Sequence, residues 1–570
     1  MEISSNTLKK MGILILPLSF LFFFFILPLL KIVLLAFGVS LDGSSTFSFA
    51  YFIDMISHPL NQYFLYWDIQ QALITTFLCL LLGLPGSYIF AHYKFPGKRL
   101  LRNLFTVPFI LPPIVVLIGF ISAFGHGGLI NQLWSTITGT RLIEIYNSYE
   151  GIILAHVFYN IPVIIRLAEI GWKNIDPEII SVAKTLEASK LKIFWKIQFP
   201  QLFPILAAAS LLVFIYAFNS FAIVLVLGGV SFQTLEVRIY SLALQSFQMN
   251  SAAALTLIQL LFNILVILLY LYISNKYEIP TKKSSIELER PLISVSRNIN
   301  SFLKPILVGI YFFFIGVICI LPILGVIVSS FEVSNGIFSL SNYEMLFNPN
   351  ISDYIGLPPQ NMIRNTIFFG IGVVIIASIL AIVLNYGLNY ETTYKGTPKL
   401  TLLQSTTGIL VILPLAISSV TLGFSLYSLY RLTPLYENLG IIIMIAQTLV
   451  AFPFANRIIA ATRASIDPTI INVARSLGAS RLRTFIKIEL PLLLPGIIVA
   501  GLFSFAISVG EFGATTFLAR ADFATIPVGI YKLINTRNIG PATSFATILI
   551  LITVLSFIII ERFGKLELRF

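Results

Sequence analysis

The chain has 570 residues, of which 57% are hydrophobic and 11% charged, and its mean hydropathy is +0.92. Soluble globular proteins carry about 25% charged residues, so a soluble enzyme or binding domain is excluded over most of this length. The formal charge of +12 would suggest nucleic-acid binding in a soluble protein. In a membrane protein, the first question is on which side of the bilayer the positive residues lie.

Twelve apolar stretches, in two sets of six, are long enough to span a bilayer, since a transmembrane helix needs roughly 20 apolar residues. The first stretch is too long for the apolar core of a signal peptide, so we expect a retained span. In chain order the predicted spans are 12–37, 70–92, 103–124, 150–170, 203–228 and 251–274, then 304–330, 363–387, 404–430, 438–460, 492–517 and 541–561.

Lys and Arg are distributed unevenly along this pattern. One alternating set of loops, together with both termini, holds 29 of the 37, while the other loops hold seven and Lys31 lies within the first span. The positive-inside rule therefore predicts that both termini are cytoplasmic, and the charge indicates topology rather than a nucleic-acid partner. The polar segment 275–303 follows an even number of spans. It is predicted to be a cytoplasmic linker between two halves of equal orientation, 1–274 and 304–570.

The sequence offers little sign of catalysis or cofactor binding. Cys79 and Cys319 lie far apart in apolar runs, which indicates neither a disulfide framework nor a metal site. The chain has no G-x-x-x-x-G-K-[ST] phosphate loop, so we expect no bound ATP. We find no paired carboxylates, His cluster or Ser/His arrangement at a consistent membrane depth, and we predict no catalytic residue and no metal.

One segment is repeated in the two halves. Residues 176–204 and 467–495 align without a gap at an offset of 291, with 16 identities in 29 positions. Asp176 and Asp467 are predicted N-caps, each followed by a proline suited to the first helical position. Apolar residues follow at helical spacing, and the next turn is basic. We predict a short helix, a turn and a second amphipathic helix at the membrane surface in each half.

A basic amphipathic loop could simply lie on anionic lipid. Lipid contact alone, however, does not require two copies to keep the same caps, turn and terminal prolines. A protein partner that recognises a fixed shape explains the repeat better, and membrane lipid remains a second contact.

The repeated segment resembles the "EAA" motif of the permeases of binding-protein-dependent ABC importers. The motif runs Glu-Ala-Ala, three residues, Gly, nine residues, Ile, one residue, Leu-Pro. The matching positions are Asn472, Val473, Ala474, Gly478, Ile488, Leu490 and Pro491 in the second copy, and Ser181, Val182, Ala183, Glu187, Ile197, Phe199 and Pro200 in the first.

The resemblance implies two tandem six-helix halves of the type I importer fold, related by a pseudo-two-fold axis along the membrane normal. It also implies a separate ATPase with two copies, which holds ATP and Mg, and an extracytoplasmic binding protein that contacts outer loops such as 38–69 and 331–362. The residues implied to couple to the ATPase are Asp176, Pro177, Val182, Ala183, Leu186 and Glu187 in the first half, and Asp467, Pro468, Val473, Ala474, Leu477 and Gly478 in the second.

This sequence departs from the motif at two places. The leading Glu is absent from both copies, and Glu187 replaces the glycine in the first. Either Glu187 adopts the left-handed conformation, at a cost of about 1 kcal/mol or more, or the first turn is built differently. The two coupling sites are therefore expected to be unequal.

Within the family, residues 154–166, 220–229 and 508–531 are most similar to fused permeases for ferric iron and thiamine, which implies one of these substrates. Glu511 is a candidate for the substrate pathway, because an ionisable group within a span is expensive and usually functional. The alternative is a structural carboxylate. Asn160, Asn219 and Ser220, the repeat equivalent of Glu511, could line the same pathway, and Asn160 and Asn219 could instead join helices. We expect His156 to pack between helices.

Two other classes of protein fit part of the pattern. A proton-coupled secondary transporter also has twelve spans and a central linker, but it does not explain a repeated amphipathic segment after the fourth span of each half. A polytopic membrane enzyme or channel is the third class, and no constellation of residues supports it.

Overall fold

The computed structural model describes residues 5–39, 47–105, 108, 111–140, 145–276, 290–292, 299–334, 337–388, 408, 410–411 and 413–563. Within these ranges the protein is almost entirely α-helical, and ten helices are long and apolar enough to cross a membrane. They are Gly12–Ala36, Pro59–His92, Tyr149–Asn174, Lys190–Phe218, Met249–Ile273, Leu303–Phe331, Pro359–Leu388, Pro434–Ala464, Arg481–Gly510 and Ile539–Ile559.

The other two predicted spans, 103–124 and 404–430, include residues outside the described part of the chain. The described part of each holds a 12-residue helix, Pro113–Phe124 in the first and Ser419–Tyr430 in the second. A helix of this length extends about 18 Å, less than the roughly 30 Å of a bilayer core. The predicted all-α membrane architecture is confirmed, with the third helix of each half described only in part.

Shorter elements connect the long helices. A strand at Tyr93–Lys94 pairs in parallel with Arg290–Pro291, and Glu332–Ser334 pairs antiparallel with Ile337–Phe338. The first pairing ties part of the predicted linker to the loop after Pro59–His92. The short helices are Ala50–Ser57, Lys98–Leu104, Leu129–Thr138, Pro177–Thr185, Ala222–Leu227, Leu235–Tyr240, Ser341–Leu346, Ile351–Ile355, Pro468–Ser476, Gly513–Leu518 and Ile526–Asn535.

The helix at the fifth predicted span of each half, Lys190–Phe218 and Arg481–Gly510, differs from its prediction. The second amphipathic helix and the fifth span form one continuous helix, and this helix ends at Phe218 or Gly510, earlier than the predicted 228 and 517. Each passes through a five-residue π-helical turn immediately before the Phe199-Pro200 or Leu490-Pro491 pair. Proline clashes with the carbonyl four residues earlier in a regular α-helix. The wider turn relieves that clash, so the helix continues through the proline.

The chain forms two compact units, Ile53–Ile239 with Ile258–Ser329, and Met1–Phe52 with Tyr240–Leu257 and Ser330–Phe570. The unit that holds most of the first sequence half also holds nearly all of Leu303–Phe331, the first long helix of the second half. The unit that holds most of the second half also holds Gly12–Ala36, the first long helix of the first half. In one unit the Tyr311 hydroxyl donates to the carbonyl of Leu82 at 2.7 Å. In the other the Tyr430 hydroxyl donates to the carbonyl of Phe23 at 2.8 Å. Sequence half and compact unit are therefore different divisions of this chain.

Candidate functional sites

Two short helices carry the repeated segment: the first surface helix, Pro177–Thr185, and the second surface helix, Pro468–Ser476. The Asp176 carboxylate accepts a hydrogen bond from the N–H of Glu178 at 2.9 Å, and the Asp467 carboxylate accepts one from the N–H of Thr469 at 2.8 Å. A proline occupies the first helical position of both helices, where the missing N–H has no intrahelical partner to lose. Both predicted N-caps are confirmed.

The two surface helices end in the same left-handed turn. In the first, the N–H of Glu187 donates to the carbonyl of Lys184 at 3.0 Å, and the N–H of Ala188 donates to the carbonyl of Ala183 at 3.0 Å. The second helix repeats both bonds, at 3.0 and 3.2 Å. This pair of bonds is the Schellman motif, which satisfies the last carbonyls of a helix.

Glu187 adopts the conformation that glycine adopts in the second copy. Its φ is +56°, and the φ of Gly478 is +87°. The first turn is therefore not built differently. A residue with a Cβ pays about 1 kcal/mol or more in this region, so the first copy retains the turn at a conformational cost that the second avoids.

Both surface helices present an uncovered apolar stripe. Ala183 and Ala474 face the protein and are 7% and 9% exposed. The three larger apolar residues of the same helical stripe, spaced three and seven positions from the first, are not covered by the described chain. Their exposed fractions are 45%, 58% and 77% for Ile179, Val182 and Leu186, and 46%, 54% and 84% for Ile470, Val473 and Leu477. Exposed apolar groups rimmed by polar residues mark interaction surfaces.

The two stripes differ in the charge around them. Glu178 and Glu187 stand where the second copy has Thr469 and Gly478, so the first surface is more acidic by two formal charges. The basic residues of the two copies correspond one for one: Lys184, Lys190, Lys192 and Lys196 with Arg475, Arg481, Arg483 and Lys487. The surfaces therefore share a shape and differ in electrostatic potential.

Each half has an ion pair on the segments that flank its surface helix in sequence, and the two pairs are built from different positions. In the first half, Glu169 contacts Arg102 at 2.6 Å and Lys173 at 2.9 Å. In the second half, Arg463 contacts Glu489 at 2.8 Å. The carboxylates are 8% and 7% exposed. Partly buried, hydrogen-bonded pairs of this kind fix geometry more than they add stability.

Glu511 follows the helix Arg481–Gly510 and is 7% exposed. One carboxylate oxygen accepts from the N–H of Ala514 at 2.8 Å, and the other accepts from the N–H of Thr515 at 2.9 Å and from its hydroxyl. Both oxygens are engaged by donors of the chain itself, so this geometry supports the structural role rather than a cation ligand.

Ser220, the repeat equivalent of Glu511, belongs to a different network. Its hydroxyl lies 2.7 Å from Nε2 of His156, whose Nδ1 lies 2.9 Å from Oε1 of Gln71. Nε2 of Gln71 donates in turn to Oδ1 of Asp68 at 3.0 Å, and Oδ2 of Asp68 accepts from the N–H of Leu235 at 3.0 Å. His156 thus packs between helices, as expected, with both ring nitrogens engaged.

The two asparagines lie near these networks. Nδ2 of Asn160 donates to the carbonyl of His156, one turn earlier in the same helix, at 2.9 Å. Oδ1 of Asn219 accepts from Nε2 of Gln259 and from Nδ2 of Asn263, both at 2.9 Å. Asn219 therefore joins two helices by hydrogen bonds, which is the alternative to a pathway role.

Sequence reasoning missed the buried polar residues that complete these networks. Asp68 was missed because the predicted second span began at 70, whereas the helix begins at Pro59. Gln259 and Asn263 could have been predicted as a polar pair within the sixth span, since two amides four residues apart lie on one face of a helix. Within the described ranges, no group of three or more His, Cys, Asp or Glu residues is placed to hold a metal ion.

The architecture is that of a multi-pass membrane protein with two exposed surface helices of the same build. The sequence model of the family described as "Binding-protein-dependent transport system inner membrane component" matches residues 83–279 and 399–566. These two matches cover more than half of the chain, and the chain belongs to this family.

Curated relatives agree with this membership. The chain is 27% identical over 489 residues to the ferric transport system permease protein FbpB of Actinobacillus pleuropneumoniae, covering 84% of this chain and 67% of that protein. It is 24% identical over 497 residues to the thiamine transport system permease protein ThiP of Haemophilus influenzae, covering 87% of both chains. It is also 24% identical to ThiP of Escherichia coli over 502 residues, covering 88% of both.

The protein is therefore the permease subunit of an ABC importer, with two tandem halves, and not an enzyme. Its partners are a separate ATPase and a substrate-binding protein. These comparisons give no support to the secondary-transporter alternative.

Proposed function

We propose that the two surface helices are the coupling elements of the importer, and that each docks on one subunit of an ATPase dimer. The observation that carries the proposal is the duplicated exposed stripe, because two copies share caps, turn and uncovered apolar positions. A homodimeric ATPase offers two equal grooves, which explains why the same shape is needed twice. ATP and Mg are held by that ATPase, since this chain has no phosphate loop.

In this proposal the surface helices and both termini are cytoplasmic, in a cytoplasmic membrane. The distribution of Lys and Arg supports this orientation. Closure of the ATPase dimer on ATP draws the coupling helices together, and the long helices that precede and follow them in the chain move with them. The substrate cavity then alternates its access, and the binding protein delivers substrate to outer loops.

The proposed cargo is ferric iron or thiamine, following the names of the relatives. Both bear positive charge. Asn160, Asn219, Ser220 and Glu511 are the proposed pathway residues, although their hydrogen bonds support structural roles more strongly.

The experiment is reconstitution of the chain with its ATPase and with binding proteins loaded with ferric iron or with thiamine. We expect one loaded binding protein to stimulate ATP hydrolysis, which would identify the cargo. The double variant Leu186→Asp, Leu477→Asp should lose the ATPase, because it places charge in both stripes. Replacing the buried alanines in the double variant Ala183→Gly, Ala474→Gly should also disrupt both surface helices and abolish the stimulated ATP hydrolysis.

The matched control is Leu432→Asp, because Leu432 is 85% exposed, nearly the same as the 84% of Leu477, and lies outside the repeat. Copurification of the ATPase should survive this change. Equal loss of the ATPase from the control and the double variant would contradict docking at the stripes.

Orientation is tested by labelling single cysteines introduced at Ser181 and at Leu432. Both native cysteines are buried, so background labelling by a membrane-impermeant maleimide should be low. We expect label at 432 from outside and at 181 only after the membrane is opened. The reverse pattern would invert the topology.

A further inference from the structure

A second buried polar cluster lies within one compact unit and is not part of the surface helices. It consists of Asn219, Glu236, Gln259 and Asn263. Glu236, Gln259 and Asn263 are 0%, 1% and 2% exposed, while Asn219 is part-buried and forms the edge of the cluster. Ionisable and polar groups among membrane helices are expensive, so a cluster of four requires a reason.

The carboxylate of Glu236 fixes the orientation of the three amides. Nε2 of Gln259 donates to Oε1 of Glu236 at 2.6 Å, and an ionised carboxylate can only accept. When Glu236 is ionised, the nitrogen of Gln259 must therefore face it, whereas a protonated carboxyl would donate to the oxygen of Gln259 instead. The same nitrogen lies 2.9 Å from Asn219, so Asn219 must turn its oxygen toward it. That oxygen in turn requires a nitrogen from Asn263, at 2.9 Å.

This orientation leaves two carbonyl oxygens without donors. Oε1 of Gln259 and Oδ1 of Asn263 are buried and have no hydrogen-bond partner. Gln259 and Asn263 are four residues apart on the helix Met249–Ile273, so they lie on adjacent turns of one face. Flipping either amide would place its oxygen against another acceptor. With Glu236 ionised, these two oxygens therefore lack donors, and the amides of the cluster cannot supply them.

The second half builds the same elements without this cluster. Phe247 and Arg537 are left-handed residues at equivalent turns, and they are 290 positions apart. The offset is one less than the 291 of the repeated segment because the π-helical turn Ser241–Gln245 adds one residue to the first half. Gln259 and Asn263 then correspond to Leu549 and Thr553. At the offset of 291 that holds before this turn, Asn219 and Glu236 correspond to Gly510 and Pro527. The fold therefore does not require the carboxylate or the amides.

We propose that this cluster binds a small monovalent cation, with Na⁺ as the probe, through the Glu236 carboxylate and the carbonyl oxygens of Gln259 and Asn263. Carboxylate and amide oxygens are the ligands that hard cations prefer. Within these four residues, one carboxylate with neutral amides balances one positive charge, whereas a divalent ion would leave an excess charge buried. Asp68, which interacts electrostatically with Glu236, has both carboxylate oxygens engaged by Gln71 and by the N–H of Leu235. The proposal concerns one half only and does not depend on the coupling role of the surface helices.

The test is thermal unfolding of the full chain in detergent, with N-methyl-D-glucamine chloride replaced stepwise by NaCl at constant ionic strength. A ligand that binds only the folded state raises the unfolding temperature in a saturable way, and we expect this with Na⁺. Glu236→Gln should abolish the Na⁺-dependent shift. Asn263→Leu removes one neutral ligand and should weaken the apparent affinity for Na⁺ about tenfold. This second variant keeps the proposal testable if Glu236→Gln does not fold.

Asn385→Leu is the matched control for Asn263→Leu, because Asn385 is a buried amide (5% exposed) outside the cluster that donates to the carbonyl of Ala381 and to Oδ1 of Asn456. It should retain the Na⁺-dependent shift of the native chain. A native chain that responds equally to both salts would overturn the proposal and indicate that water fills the cluster. So would a response to Mg²⁺ or Ca²⁺ alone, or an unchanged response in Asn263→Leu.

Discussion

The two surface helices are nearly identical, whereas the buried polar networks of the two halves are different. At the surface, caps, turns and exposed positions correspond residue by residue, even where Glu187 replaces glycine. In the membrane, Glu511 is satisfied by its own segment, while its equivalent Ser220 belongs to a chain that ends at Asp68. The two halves arose by duplication. Their surface helices have kept the same structure, whereas their buried polar networks have diverged.

The difference follows from what each end must contact. In the proposed function, two equal ATPase subunits require two equal surfaces, so a change in one copy is constrained by the groove it would fit. A single small substrate imposes no such equality on buried residues, so the membrane residues can diverge. Four predictions follow from this contrast.

The largest effect on ATPase binding is expected when a charged residue is introduced into one of the two exposed apolar stripes. If the stripes are equivalent, Leu186→Asp and Leu477→Asp should each weaken ATPase binding by about 30-fold, the size of a hot-spot contact. Binding of the ATPase to the purified chain measures this. A loss confined to one variant would show that the two surfaces are not used equally.

The buried networks should differ in the cost of breaking them. Glu511→Ala leaves the donors of Ala514 and Thr515 unsatisfied, and hydrogen bonds to a charged group contribute about 1.5–3 kcal/mol each. Ser220→Ala removes one neutral hydroxyl and should cost about 1 kcal/mol. Unfolding in mixed micelles compares the free energies. Equal costs would indicate that Glu511 is not held by these donors.

A smaller effect concerns the left-handed turn. Glu187→Gly should raise the free energy of unfolding by about 1 kcal/mol, because glycine adopts positive φ without a Cβ penalty. Gly478→Glu should lower it by a similar amount. The pair of reciprocal variants is its own control, and a gain in stability from Gly478→Glu would contradict the argument.

The smallest effect concerns pH. Hydrogen bonds from the N–H and side chain of Thr469 hold the pKa of Asp467 below its ordinary value. The ionised cap therefore stabilises the second surface helix above the ordinary pKa of an aspartate, and this stabilisation is lost as the pH falls through the lowered pKa. Amide exchange at Thr469 should rise over that acidic range, after correction for intrinsic exchange. Asp467→Asn should remove this pH dependence.

Much of this protein could be predicted from local sequence. Asp176 and Asp467 indicated N-caps, and the spacing of Val182 and Leu186 indicated a helix, because these features depend on residues within one or two turns. The two halves were evident from the gapless repeat. The exposure of the stripe was not evident, since apolar spacing alone does not say whether a helix face is covered by its own chain.

The sequence by itself determined the class of protein, ten of the twelve predicted spans and the duplicated segment, because hydrophobic length and repeat register are one-dimensional properties. Only the tertiary structure decided how Glu187 builds its turn and which helices share a compact unit. It also decided which partners satisfy Glu511 and how Asn219, Gln259 and Asn263 meet at Glu236. These contacts join residues distant in sequence, and a buried polar group is defined by the donors around it rather than by its neighbours in the chain.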